Sequence, residues 1–433
     1  MLAKLKDTIH TVILPDEAST KSSRPTPLSR SAATRLASLY LQRSPLQSTQ
    51  ARSSFDLFAR KDPKGDKPFS YIFAQYVLID IRSTIPTLMT NLASPNYQHD
   101  SLRLAAGYDV ISGFIGYLLS VMSSEEDNDE TTQSQPQPQI ETTLISPDLL
   151  LKLRRDLSET FSLTLEYLRD RWDAVTTGAR GLDPSARVDP KAPPMLTWDN
   201  PTIPPEEDPI LLAGLRAVSL WLREDENSEL NAQAMGVLDV LVGLYEGSMK
   251  GKGVVDFRPP VLLLFEAVVG YEQEAAKVLL ESGAWELLAA DLRDAVEQME
   301  GPERTGVSTS RHTIGDVAGV LQLLVKSDAA PQSREVWMDV VKMAAGMDSQ
   351  SGREGDLEAC DEIVRVYDLA VDVIEKAPKR LQKLVGGHAE KIGRNARELG
   401  ERLKNRRDGH RGKALELQQS LEDIVAALSE VYG

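Results

Sequence analysis

The chain has 433 residues, 41% hydrophobic and 6% aromatic, and carries a formal net charge of −16 from 49 basic and 65 acidic residues. An apolar set dominated by Leu, Ala and Val suits helices packed on helices better than a β-sandwich, and the acidic surplus excludes a general attraction to nucleic acid or anionic membrane. The single cysteine, Cys360, excludes an internal disulfide and a cysteine-based zinc site.

The N-terminus, MLAKLKDTIHTVILPDE, lacks a secretory apolar core because Asp7 and His10 interrupt it. The acid-free stretch between Glu17 and Asp56 faintly resembles a transit peptide, but the early acids and the helical pattern argue against one. A lone cysteine and no Asn-x-Ser/Thr acceptor fit a reducing compartment: cytoplasm, or nucleus. Helical periodicity predicts helices near 28–43, 68–93 and 100–122, so 1–122 is expected to form an N-terminal helical part. The most apolar stretch, VISGFIGYLLSVM (Val110 to Met122), falls short of the roughly 20 residues that span a bilayer, and reads as a fully buried helix.

Two insertions interrupt the pattern. From Ser123, SSEEDNDETTQSQPQPQIETT is acidic and nearly free of apolar residues, so 123–145 is expected to be a disordered loop. A long helix over 146–174 follows. Between Pro184 and Pro209 lie eight prolines, which favour an extended course over 175–208 and mark the expected main boundary.

From 209 to 375 helix pairs recur: 209–224 with 228–246, 258–281 with 284–299, 311–326 with 332–346, then 355–376. The period of roughly 45 to 55 residues approaches that of HEAT and armadillo units. Leu211, Leu215, Val218 and Leu222 share one face, and Val237, Leu241, Leu244 and Tyr245 another. No pair buries its apolar face alone, so neighbours must stack. The expected fold is all-α: an armadillo/HEAT-like α-solenoid of stacked helix pairs with two insertions.

The joint LLESGAWELLAADL resembles the turn before the third helix of armadillo-type repeats, with Gly283 as the turn and Trp285, Leu287 and Leu288 opening the helix. More broadly, SPDLLLKLRRDLSETFSLTLEYLRDRWDA and AVSLWLREDENSELNAQAMGVLDVLVGLY resemble the neurochondrin family of helical-repeat proteins. That resemblance implies an armadillo-like cytoplasmic scaffold with signalling or assembly partners and no catalytic site.

No pattern of chemistry stands out. His10, His99, His312, His388 and His410 have no metal-ligand spacing and read as exposed or locally hydrogen-bonded. EGSMKGKGVVDF places Gly253 after Lys252, where a phosphate loop needs a hydroxyl. Cys360 shares a face with Ile363, Val364, Tyr367 and Val371 and reads as a core residue. DSQSGREGDLE fails the calcium-loop pattern. No catalytic residue, cofactor or metal is expected.

Two features point to partners. The C-terminal part, 376–433, is expected as two helices, 379–406 and 411–431, and is basic where the remainder is acidic. Arg394, Arg397, Lys404, Arg406 and Arg407 lie in its densest part, and read either as a solvated helix pairing with the acidic body or as a docking patch for an acidic partner or anionic surface. Absent aromatics weigh against nucleic acid. Trp198, in PPMLTWDNP, either staples the proline-rich segment to its own solenoid or lies in a groove that a client displaces. The functional expectation is a non-enzymatic scaffold for protein partners with basic segments. The alternative is a chaperone or transport adaptor shielding a basic client.

Overall fold

The computed structural model describes residues 2–13, 26–42, 57–58, 67–92, 94–126, 145–176, 204–251, 255–300, 311–327, 334–347, 357–404 and 411–432. Among these residues every regular element is helical. The helices are α1 (Leu2–Ile13), α2 (Pro27–Gln42), α3 (Phe69–Leu88), α4 (Tyr97–Glu126), α5 (Pro147–Thr176), α6 (Pro209–Glu224), α7 (Ser228–Met235), α8 (Leu238–Met249), α9 (Arg258–Tyr271), α10 (Gln273–Glu281), α11 (Ala284–Glu300), α12 (Arg311–Lys326), α13 (Met338–Gly346), α14 (Leu357–Glu375), α15 (Lys379–Lys404) and α16 (Arg411–Tyr432). Among the described residues the fold is all-α, built of helices packed on helices.

Several helices differ from their sequence-based limits, for local reasons. The helix expected over 228–246 is two helices. Gly236 ends α7, its N–H donating back to Ala232 and Ala234, and glycine is a poor residue with which to continue a helix. The helix expected over 258–281 is likewise broken at Glu272, whose backbone is extended (φ −131°). Two of the repeating units therefore carry a short helix between their longer ones. Gly283, with φ +80°, makes the turn into α11, a conformation that side chains disfavour. The two insertions lie mostly outside the described residues. Their described ends are helical: α4 continues to Glu126, α5 to Thr176, and Pro205–Glu207 forms a 3-10 turn. The leading helix α1 was not among the expected elements.

The chain divides into two compact units, Met1–Val240 with Gly251–Pro260, and Leu241–Lys250 with Val261–Gly433. The division therefore falls later than the proline-rich segment. Helix α6, beyond that segment, packs closely along α4 and belongs with the N-terminal helices.

In the first unit α4 is the central helix, packed by α2, α3 and α6. Over Tyr97–Val121 it is long and apolar enough to cross a membrane by composition alone, with mean hydropathy 1.5. Here Tyr108, Val110, Ile111, Phe114 and Ile115 are buried in the helical core. Its one mid-helix carboxylate, Asp109, is held by Ser38 (2.8 Å) and Gln42 (2.7 Å) of α2. The α6 residues Leu211, Leu215, Val218 and Leu222 are all buried, as their spacing predicts. His10 departs from expectation: it is buried, bonds the Leu57 carbonyl at 2.9 Å and meets Phe69 edge-on.

In the second unit α11 packs on α12, α12 on α14, and α15 and α16 lie along one another. Trp285 and Trp337 stack at 4.2 Å between ring centres, both fully buried. Tyr245 donates to Asp291 at 2.5 Å. Cys360 is a core residue of α14, packed with Ile363, Val364, Tyr367 and Val371 on the buried face.

Candidate functional site

An open cleft of about 590 Å³ runs between α5 and α7 in the first unit. One wall is α5: Leu151, Arg154, Arg155, Ser158, Ser162 and Leu163. The other is Asn227 with Leu230 and Gln233 of α7, and Arg82 of α3 closes one edge. Asn227 caps α7, its side-chain oxygen accepting from the Glu229 and Leu230 amides at 3.0 and 3.1 Å. Its Nδ2 donates across the cleft to Ser158 at 3.2 Å. This cap fixes how far α7 stands from α5.

The cleft's arginines are already engaged. Arg82 donates to Asp156 (3.1 Å) and Glu159. Arg154 donates to Asp225 from Nε at 2.8 Å. Arg155, largely exposed, stands 3.9 Å from Glu159. Two buried acceptors have no hydrogen-bond partner among the described residues: Oε1 of Gln233, and Oδ2 of Asp225, whose other oxygen is held by Arg154. Both atoms are shielded from solvent. The cleft itself offers the apolar side chains of Leu151, Leu163 and Leu230 and two hydroxyls one helical turn apart. The sequence showed none of this, because the cleft forms only when two helices about 70 residues apart meet; the Ser158/Ser162 spacing on α5 was the available signal.

The second feature is the outer face of α15. Lys379, Arg380, Lys383, Lys391, Arg394 and Arg397 are all exposed there. None forms an ion pair or hydrogen bond with another described residue. Lys404, expected to belong with them, is set apart: it pairs with Glu401 at 3.3 Å and with Glu422 of α16 at 3.7 Å. Arg406, Arg407 and Trp198 lie outside the described residues. Among those described, no group of His, Cys, Asp and Glu side chains is arranged to hold a metal ion.

A protein-family model described as neurochondrin matches residues 18–341. The chain belongs to the neurochondrin family. The match spans both insertions and the whole α5–α7 cleft, and stops before α15. No curated protein matches the chain. Among solved structures, the chain is similar to an engineered protein at 11% identity, covering 98% of this chain and 92% of that one with a TM-score of 0.31. It is also similar to a circular tandem repeat protein with novel repeat topology, again at 11% identity, covering 100% and 96% with a TM-score of 0.22.

Proposed function

We propose that this neurochondrin-family chain is a non-enzymatic, cytoplasmic scaffold that binds protein partners through the α5–α7 cleft. The observation that carries this reading is the open, partly apolar groove itself, with Leu151, Leu163 and Leu230 beside the polar side chains of Ser162 and Gln233 on its walls. A peptide segment supplies apolar side chains for the leucines and backbone groups for the polar side chains. A chain of net charge −16 favours basic clients of this kind, since complementary charge speeds encounter. The α5 wall runs from Leu151 to Leu163, a rise of about 18 Å, which matches an extended segment of about five residues.

The test is affinity capture of the full chain from native extract beside a Ser162→Trp variant, which fills the cleft from a partly exposed position. A stoichiometric partner retained by the native chain and lost by the variant supports the cleft as the binding site. Identical capture by both removes the cleft from the proposal, and no stoichiometric partner with either counts against a scaffold.

A further inference from the structure

The inner face of α15 is fixed to the second unit. Val385, Ala389, Ile392, Ala396, Leu399 and Leu403 are buried. Gly393 and Gly400 also face α16, where an added Cβ would lie in ordinary contact with Leu428 and Leu421, at 3.7 and 4.0 Å. Asn395 donates to the Met347 carbonyl at 2.9 Å, and Tyr432 of α16 to the Gln382 carbonyl at 2.8 Å. Held on that side by packing and directional bonds, the helix cannot roll to hide its outer face.

That face carries a defined charge pattern. Arg380 and Lys383 form one pair, and Lys391 and Arg394 repeat it three turns later, about 16 Å along the axis. Between the pairs lie Leu384, 61% exposed, and Gly387, where an added Cβ would meet nothing within 4 Å. The result is a shallow apolar notch between two cationic ends. Glu390 is the one exposed acid within the row, and Glu398 and Glu401 lie beyond its C-terminal end. The internal ion pairs of α15 gather at that end, around Lys404, so the cations of the row are left for an external anion.

We propose that the outer face of α15 docks an acidic helical segment of a partner protein, with carboxylates over the Arg380/Lys383 and Lys391/Arg394 pairs and one apolar side chain over the Leu384–Gly387 notch. A helix matches the pattern because it repeats side chains on one face at the same three-turn interval. An extended polyanion does not. The row is one helix wide, and α16, which lies along α15, exposes Glu416, Glu422, Asp423 and Glu430, acids that disfavour a broad polyanion such as a membrane or nucleic acid. A compact segment meets only the row. This deepens the scaffold reading by naming one partner class and rests on it; the site is separate from the α5–α7 cleft, so its failure leaves the cleft experiment intact.

The test uses the full chain and a fluorescent, stapled helical peptide bearing two Glu pairs spaced as the cation pairs are, with a Leu between. Binding is read by anisotropy beside a scrambled peptide of equal composition, phosphatidylserine vesicles and a single-stranded RNA. Saturable binding of the peptide, weakened at least about tenfold by Lys383→Glu with Arg394→Glu and left unchanged by Lys404→Glu, is the expected result. Melting temperatures verify that the variants fold, and Arg380→Gln with Lys391→Gln provides a milder second pair. Absence of saturable binding overturns the proposal. So does equal affinity for the scrambled peptide, equal affinity of the reversed variant, or tighter binding of the vesicles or the RNA.

Discussion

Arg171 of α5 and Asp208, the residue before α6, lie 3.7 Å apart with neither side chain exposed to solvent. Asp208 sits at the N-cap of α6 but does not cap it. Its carboxylate is diverted to α4, accepting from Tyr97 and from Ser101 at 2.6 Å, while Tyr97 also bonds Tyr167 at 2.6 Å. One carboxylate thus ties α4, α5 and the start of α6 together. Asp208→Ala removes the only carboxylate of this buried pair, and such losses cost about 3 to 5 kcal/mol. The expected outcome is a large fall in the urea midpoint of the first unit. A loss below about 1 kcal/mol would mean the network is dispensable.

This network also shows where sequence reading stops. The apolar faces of α6 and α14 were legible because burial follows helical period, as Leu215, Val218 and Cys360 illustrate. The breaks at Gly236 and Glu272 were not, because apolar periodicity continues across a turn of one or two residues. Buried polar pairs such as Arg171–Asp208 and the α5–α7 cleft depend on residues brought together from distant positions, and no spacing encodes them. The cationic tail was legible as composition. Which of its residues stand unpaired, Arg394 and Lys383 but not Lys404, required knowing where Glu422 of α16 falls.

Acidic residues on α14 should make the stability of the second unit depend on pH. Burial, reinforced by the neighbouring Asp372, raises the carboxyl pKa of Asp368, and the same two causes raise that of Glu375. Asp372 itself is held by Gln322 at 2.6 Å and Lys326 at 3.2 Å. A carboxyl whose pKa is higher in the folded state binds its proton more tightly there. Its contribution to stability is therefore present below the unfolded-state pKa and is lost as pH rises through the raised value. Asp368→Asn should raise the melting temperature at neutral pH, and that gain should vanish as pH falls to about 4. Melting curves across this range check it; a variant less stable at neutral pH would show that Asp368 has a favourable partner instead.

Gly283 sits at φ +80° just past Ser282, the C-cap of α10, and its conformation rather than its space is what matters, since an added Cβ would meet only Glu286 at 4.0 Å. Gly283→Ala is expected to cost about 1 kcal/mol, and Gly283→Asn less, because asparagine tolerates the left-handed region. Equal losses for the two variants in urea titration would point to crowding instead.

Asn227 separates the stability of the cleft from its function. The side-chain oxygen caps α7, and the nitrogen reaches Ser158 across the groove. Asn227→Ala loses both bonds and is expected to cost about 1 kcal/mol through the lost cap. Ser158→Ala leaves Asn227 and its cap in place but removes the acceptor of the bond across the groove. If the cleft binds partners, Ser158→Ala should melt near the native temperature yet retain less of the captured partner, because its two cleft walls lack that bond. Capture unchanged in Ser158→Ala and reduced only in Asn227→Ala would mean that partner binding follows stability, and that the α5–α7 groove does not choose what it holds.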